Sequence, residues 1–322
     1  MGASSRRLYP YTISRKDQLL DLIKGVMPVA PTVFADNEEL DLEGQRRVVD
    51  YLVDGGVQAV CILANYSEQF SLTDEERDQV LHTTMDHAAG RLSVCVTTSH
   101  FSSRVARERS LRAQELGAGM VMMMPPFFGA TMKVDDDGIV EYFKRVTDGL
   151  EIDVMIQDAP MSPTALSVGL IARLAEEVPQ VNYVKIEMPG TADKLRALAA
   201  TTGSTLPGLF DGEEAITLIP DLDAGAQGTM SSCMIPDQLG RIVSNFHAGE
   251  RDKAVQEWEA VLPLIHFENR QCGLRATKVL MKEGRIISSD KTRNPIHELH
   301  PETKAQLIDL AKRKDPLILR WS

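Results

Sequence analysis

The 322-residue sequence lacks the features of a membrane protein and of a disulfide-stabilised secreted protein. No apolar run reaches the ~18 residues that a membrane-spanning helix needs, and the N-terminal segment contains no apolar core of a signal peptide. The few cysteines are far apart and form no CxxC pair, which indicates reduced thiols in the core. They are Cys61, Cys95, Cys233 and Cys272. We therefore expect a cytoplasmic protein without a membrane partner.

Positive charge is also scarce, because 46 acidic residues stand against 35 basic ones and the net charge is −11. No stripe of lysine and arginine could follow a phosphate backbone, so we expect no nucleic-acid partner. No GxGxxG or Walker loop follows the first predicted strand, and no histidines or cysteines have metal-ligand spacing. The sequence thus predicts no metal and no other cofactor.

Short apolar runs rich in β-formers alternate with longer segments of helical period, a pattern typical of βα units around a parallel sheet. Eight such units and the chain length favour a (β/α)8 TIM barrel, an α/β fold, while a doubly wound open sheet is the alternative. The predicted strands are residues 27–34, 57–63, 92–98, 119–125, 152–158, 181–187, 207–212 and 226–232.

The predicted organisation has three parts. Residues 1–24 form an N-terminal arm with a short helix, residues 25–235 form the barrel, and residues 236–322 form a C-terminal helical extension packed on the barrel. The extension has helical periodicity and no strand pattern of its own. Its predicted helices are 236–246, 252–266, 275–283 and 301–313.

A lysine and a glutamate lie two positions apart near the end of the sixth predicted strand, in "YVKIEMPG". The two-residue period of a strand puts Lys185 and Glu187 on one face, and the C-terminal strand ends of such barrels carry the active site. A lysine in a partly dry cavity has a lowered pKa and attacks carbonyl carbons, while a neighbouring glutamate can move protons. An ordinary ion pair at a strand end is the alternative explanation.

Several segments recur in an order and spacing that carry a family resemblance: "GVMPVAPTVF", "ILANYSEQFSLTDEER", "MIQDAP", "YVKIE" and "LFDGEEA". From about residue 25 onward the sequence resembles the dihydrodipicolinate synthase / N-acetylneuraminate lyase superfamily of Schiff-base (β/α)8 enzymes. The resemblance implies that Lys185 forms an imine with a small 2-keto acid substrate. It also implies a homotetramer built as a dimer of dimers.

The sequence departs from this superfamily at three positions. Gln157 stands where the superfamily has a catalytic tyrosine, Phe128 stands where a neighbouring subunit donates a tyrosine, and Ser162 replaces an arginine that binds a second carboxylate. Without these phenols, the resemblance favours a dehydratase of a 2-keto-3-deoxy sugar acid, most concretely L-2-keto-3-deoxyarabonate. Glu187 is then the candidate base at C3, and Gln157 is the candidate to hold a water or hydroxyl.

The resemblance also implies which residues bind substrate. The loop after the second strand aligns with the segment that grips the keto-acid carboxylate, although a plain βα turn is the alternative. Segments after the seventh and eighth strands align with loops that hold the substrate tail. The predicted binding residues are Asn65, Tyr66, Ser67, Phe128, Glu213, Met230 and Ser231.

Three other functions stay open at this point. A class I aldolase of the same superfamily would split C3–C4 and release pyruvate. A decarboxylating dehydratase would need a cation for a distal carboxylate, for which the sequence offers no clear candidate. A non-catalytic regulator that binds keto acids would keep the barrel without the chemistry.

Overall fold

The computed structural model describes residues 22–127 and 134–321. Its sheet has eight strands, of which seven fall inside predicted runs, while the first lies just before its run. The strands are β1 Gly25–Val26, β2 Ala59–Ile62, β3 Ser93–Thr97, β4 Met120–Met123, β5 Asp153–Asp158, β6 Val181–Ile186, β7 Gly208–Asp211 and β8 Gly228–Thr229.

All eight strands are parallel and lie in the order β1-β8-β7-β6-β5-β4-β3-β2. The gap between β1 and β2 is bridged just after β1, where Val29 pairs with both Cys61 and Ser232. The amide of Ala30 donates to the Cys61 oxygen at 2.8 Å, and the Cys61 amide donates to Pro28 at 2.8 Å. The predicted (β/α)8 barrel is therefore confirmed.

A helix follows each strand, and three more helices follow the eighth unit. They are α1 Leu42–Asp54, α2 Asp74–Ala88, α3 Ser103–Glu115, α4 Asp136–Thr147, α5 Val168–Glu177, α6 Thr191–Thr202, α7 Leu218–Asp223, α8 Pro236–His247, α9 Arg251–Phe267, α10 Arg275–Glu283 and α11 Pro301–Lys312. The proposed domain boundary at residue 235 falls between β8 and α8 and stays a prediction. The N-terminal arm lies outside the described residues as far as residue 21. No helix within the described ranges is long and apolar enough to cross a bilayer.

Methionine and aromatic side chains fill the lumen of the barrel. The buried interior cluster contains Met27, Met120, Met122, Met155, Met230, Tyr183 and Phe210, and all four cysteines are free and buried. Methionine suits this irregular space because its side chain is flexible. Gly208 makes room for one ring, since a Cβ there would lie 2.1 Å from Cδ1 of Tyr183.

A buried ion pair ties the C-terminal helices to the barrel. Lys278 of α10 donates to Oε1 of Glu68, a residue of the loop after β2, and both side chains are fully buried. Oε2 of Glu68 accepts a hydrogen bond of 2.9 Å from the Arg293 amide. The Lys278 and Arg293 cations lie 4.4 and 4.5 Å from the ring centroid of Phe34. The extension thus holds the β2 loop in place.

Gly208→Ala is expected to lower the free energy of unfolding by about 1–3 kcal/mol, because the added methyl overpacks the site occupied by Tyr183. Urea unfolding followed by circular dichroism measures the change. Gly240→Ala in α8 is the matched control, because a Cβ there meets no atom within 4 Å. That variant should be neutral or stabilised by up to about 1 kcal/mol. Equal effects of the two substitutions would contradict the packing argument.

Lys278→Met is expected to lower the free energy of unfolding by about 3–5 kcal/mol, because it leaves the Glu68 carboxylate buried without its cation. Lys253→Met is the control, because the Lys253–Glu250 pair is more than half exposed. Its loss should change stability by no more than about 0.5 kcal/mol. Thermal unfolding of the two variants side by side distinguishes them, and a small effect at Lys278 would show that the pair does not anchor the extension.

Candidate active site

A cavity of about 470 Å³ opens at the C-terminal end of the barrel strands. This is the end at which (β/α)8 enzymes carry their active sites. Residues near the C-terminal ends of β5 and β6 or just after β1, β2, β5, β6 and β7 line it, together with two from the segment between α9 and α10. They are Val29, Ala64, Asn65, Tyr66, Gln157, Pro160, Met161, Lys185, Glu187, Gly212, Glu213, Glu214, Asn269 and Leu274.

The lysine and the glutamate of the sixth strand meet inside this cavity. Nζ of Lys185 lies 2.8 Å from Oε1 of Glu187, and the two side chains are only 5% and 15% exposed. Gly212 provides the space for both, since a Cβ there would lie 2.5 Å from Cγ of Glu187 and 2.6 Å from Cγ of Lys185. The catalytic interpretation of the motif and its interpretation as an ion pair are therefore compatible, because the ion pair itself lies in the cavity.

The expectation of a lowered pKa for Lys185 is wrong. Burial lowers this pKa, but the charge of Glu187 and the hydrogen bond that Lys185 donates to it outweigh burial, so the pKa is raised. The expectation counted only desolvation and left out the neighbouring carboxylates. The amine is consequently protonated at rest, and Glu187 is the nearest base that can take its proton.

Gln157 on β5 orients Glu187 and offers an unused acceptor. Its Nε2 donates a hydrogen bond of 2.7 Å to Oε1 of Glu187, and the residue is 1% exposed. Its Oε1 is buried, and no residue in the described ranges donates to it. An orphaned buried acceptor costs about 1–3 kcal/mol, so this oxygen is suited to accept a hydrogen bond from a hydroxyl of a bound substrate.

The loop after β2 contributes Asn65 and Tyr66 to the cavity, but not Ser67. Burial raises the pKa of the Tyr66 phenol, which therefore stays protonated. Ser67 is turned away, and its hydroxyl donates to the Ala30 oxygen at 2.6 Å. The loop thus brings a phenol to the site even though none is present at position 157.

The remaining predicted binding residues differ in their positions. Glu213 lines the cavity, whereas Met230 is fully buried in the barrel interior. The Ser231 hydroxyl donates to the oxygen of Ser232 at 3.1 Å. Phe128 lies outside the described residues.

Several lining residues were not predicted, among them Glu214, Asn269 and Leu274. Glu214 adjoins the predicted Glu213, but its direction depends on a left-handed backbone, with φ 57°, that the sequence does not display. Asn269 and Leu274 come from the segment between α9 and α10. No spacing signal relates that segment to the barrel mouth, because the contact is made only by tertiary packing.

The sequence and the fold of this chain match known proteins. Residues 22–314 match the model of the dihydrodipicolinate synthetase family. L-2-keto-3-deoxyarabonate dehydratase of Azospirillum brasilense is 52% identical over 93% of this chain and 97% of its own length. A 4-hydroxy-tetrahydrodipicolinate synthase of Caldicellulosiruptor bescii is 28% identical over 76% and 82%. The crystal structure of dihydrodipicolinate synthase from Rhodopseudomonas palustris superposes with a TM-score of 0.82 at 25% identity, covering 90% of this chain and 97% of that one.

Glu187→Gln is expected to lower the pKa of Lys185, because it removes the strongest charge that raises this pKa and leaves burial to dominate. The amine then becomes available at lower pH. Trapping of a pyruvate adduct with borohydride, followed over a pH series, should therefore show its midpoint at lower pH than in the wild type. Glu213→Gln is the control and should keep the wild-type midpoint. A midpoint that is unchanged or higher in Glu187→Gln would contradict the assignment.

Proposed function

Because this chain belongs to the dihydrodipicolinate synthetase family, we propose that it dehydrates a 2-keto-3-deoxy sugar acid through an imine on Lys185. The substrate is L-2-keto-3-deoxyarabonate, on which the A. brasilense relative acts by name, and the products are 2-oxoglutarate semialdehyde and water. The observation that carries the proposal is the contact of Glu187 with both Lys185 and Gln157, the latter with an unused acceptor.

The first step forms the imine. The Lys185 ammonium passes a proton to Glu187, which lies 2.8 Å away, and the free amine attacks C2 of the keto acid. Glu187 then returns a proton to the C2 hydroxyl, which leaves as water. The resulting iminium is an electron sink that acidifies the hydrogens on C3. Asn65 and Tyr66 line the cavity and supply hydrogen-bonding groups for the substrate carboxylate.

The second step removes the C3 proton and the C4 hydroxyl. Glu187 is a carboxylate again after imine formation and takes the C3 proton. The enamine that forms pushes out the oxygen at C4. Oε1 of Gln157 accepts a hydrogen bond from the C4 hydroxyl and holds this group in place. Tautomerisation toward C5 gives the aldehyde, and hydrolysis of the imine frees Lys185.

The same geometry disfavours the aldolase reaction. Cleavage of C3–C4 requires a base for the proton of the C4 hydroxyl, and the amide of Gln157 cannot serve as one. The phenol of Tyr66 has a raised pKa and so keeps its own proton. Neither side chain can therefore start the cleavage, whereas Glu187 can take a proton from C3.

The assembly belongs to the proposal as well. We propose a homotetramer, a dimer of dimers, in which Phe128 contributes to the substrate site of a neighbouring subunit. The mass of the native protein in solution tests the assembly, and a monomer would overturn it.

Lys185→Ala and Lys185→Arg are expected to lower kcat by about 10³-fold or more, because neither side chain can form the imine. Borohydride with pyruvate, followed by mass spectrometry, should label residue 185 in the wild type but in neither Lys185 variant. Lys194→Arg is the matched control, since Lys194 is a partly buried lysine paired with Asp158. It should keep both turnover and adduct.

The product distinguishes the rival functions. Incubation with L-2-keto-3-deoxyarabonate should yield the semialdehyde, measured by its oxidation with an aldehyde dehydrogenase. Release of pyruvate would instead identify an aldolase, and binding without an adduct would identify a regulator. Full turnover in Lys185→Arg would contradict the imine mechanism.

A further inference from the structure

We propose that Glu214 is the proton donor to the departing C4 hydroxyl, and that Glu268 is a positioning residue that keeps Glu214 protonated. Neither residue has a role in the reaction described above. The inference rests on the proposed dehydration and deepens it.

The proposed reaction leaves one proton unassigned. Hydroxide is a poor leaving group, so the C4 oxygen needs a proton as its bond to carbon breaks. Glu187 has just received the C3 proton, and the Lys185 nitrogen is part of the enamine. The amide of Gln157 cannot supply a proton at neutral pH. A second acid in the cavity can supply this proton while Glu187 keeps the one that it later returns to C3.

The loop after β7 is built to aim Glu214 into this cavity. Glu214 and Ala215 both have left-handed backbones, with φ of 57° and 66°. Such conformations cost about 1–3 kcal/mol each for residues with a Cβ and cluster at functional sites. Asp211 holds the turn, because its carboxylate accepts from the amides of Glu213 and Ala215 at 3.0 and 3.1 Å. A third hydrogen bond to it comes from the hydroxyl of Thr229.

The surroundings of Glu214 favour its neutral form. Its Oε2 accepts a hydrogen bond of 2.8 Å from the Ser232 amide. Burial and the charges of Glu268, Glu187 and Asp211 raise its pKa, whereas this hydrogen bond and the charge of Lys185 favour the carboxylate. Tyr66 also lies near this group and stays neutral. Since Lys185 is already paired with Glu187, the net effect is a carboxylic acid that keeps its proton at neutral pH.

Glu268 is the strongest of these neighbouring charges. It begins the π-helical turn Glu268–Cys272 that extends α9, and it is 1% exposed. Burial raises its pKa to about 7, opposed by a hydrogen bond with the Ser232 side chain. Glu214 and Glu268 thus bind the same serine, one at its amide and the other at its hydroxyl. Two buried carboxyls this close do not both ionise readily, so the pair retains a proton.

The other acids of the cavity are less suitable donors. The raised pKa of Tyr66 makes its phenol too weak an acid to assist at neutral pH. Glu213 is only half-buried, whereas Glu214 is 8% exposed. Glu214 therefore combines access to the substrate with protection of its proton from solvent.

The step balances in atoms and charge. As the C4–O bond breaks, its electron pair leaves with the oxygen, and the Glu214 proton completes a water molecule. The enamine electrons form the C3=C4 bond and restore the iminium. Glu214, now a carboxylate, takes one proton from C5, which resets the acid and gives a dienamine with an enol at C5. Return of the Glu187 proton to C3 and tautomerisation of the enol then yield the aldehyde.

The test is Glu214→Gln, for which kcat of dehydration should fall about 10²- to 10⁴-fold. Borohydride trapping of pyruvate on residue 185 should stay at the wild-type level, because imine formation does not need this acid. In a single turnover, an analogue with fluorine in place of the C4 hydroxyl should release fluoride from Glu214→Gln within about tenfold of the wild-type rate, since fluoride leaves without protonation and before the C5 proton is transferred. Glu259→Gln, an exposed acid of α9, is the control and should behave as wild type.

The second variant is Glu268→Gln, which removes a charge that raises the pKa of Glu214. The alkaline limb of the kcat profile, where Glu214 loses its proton, should therefore move to lower pH. An alkaline limb at the wild-type pH would overturn the role of Glu268. If Glu214→Gln does not fold, the shift of this limb in Glu268→Gln is the test of the acid role of Glu214. Equal loss on the hydroxyl and fluoro substrates, or full turnover in Glu214→Gln, would overturn the acid role while dehydration stands. Absence of trapping in the wild type would instead overturn the proposed function.

Discussion

The ion pair of Lys185 with Glu187 in the barrel mouth is the interaction on which the rest of the site depends. Removing two charges from water has a large desolvation free energy. Their mutual attraction offsets it only when the geometry is good and further hydrogen bonds are made. Gln157 makes one of these bonds, and Gly212 leaves the space for the pair. The short distance that stabilises the two charges also lets Glu187 accept the proton of Lys185. The same contact therefore contributes to the stability of the site and to imine formation.

The site is completed by parts of the chain that do not belong to the strands. The segment between α9 and α10 provides Glu268 behind the cavity and Asn269 in its lining. The ion pair between Lys278 and Glu68 links α10 to the loop that carries Tyr66. The helices that follow the barrel therefore influence the acidity of Glu214 and the position of Tyr66 at the barrel mouth. The packing of the extension is thereby linked to the proposed reaction.

Much of the architecture can be predicted from local patterns. Alternation of apolar runs with helical periods locates the strands and helices, because backbone hydrogen bonding and burial act over short distances along the chain. The two-residue spacing of Lys185 and Glu187 places them on one face for the same reason. The direction of the Lys185 pKa is not predictable in this way, since it depends on how closely the Glu187 carboxylate approaches the amine in the folded site.

The sequence by itself determined the βα units, their order and the lysine at the end of the sixth strand, because periodicity is a property of neighbouring residues, whereas closure of the sheet into a barrel became clear only from the structure. Only the tertiary structure decided that Ser67 bonds to Ala30 rather than lining the cavity. It also decided that Glu214 enters the cavity, through a left-handed backbone held by Asp211. Side-chain direction in loops and the charge state of buried groups arise from contacts between distant segments, and these form only when the chain has folded.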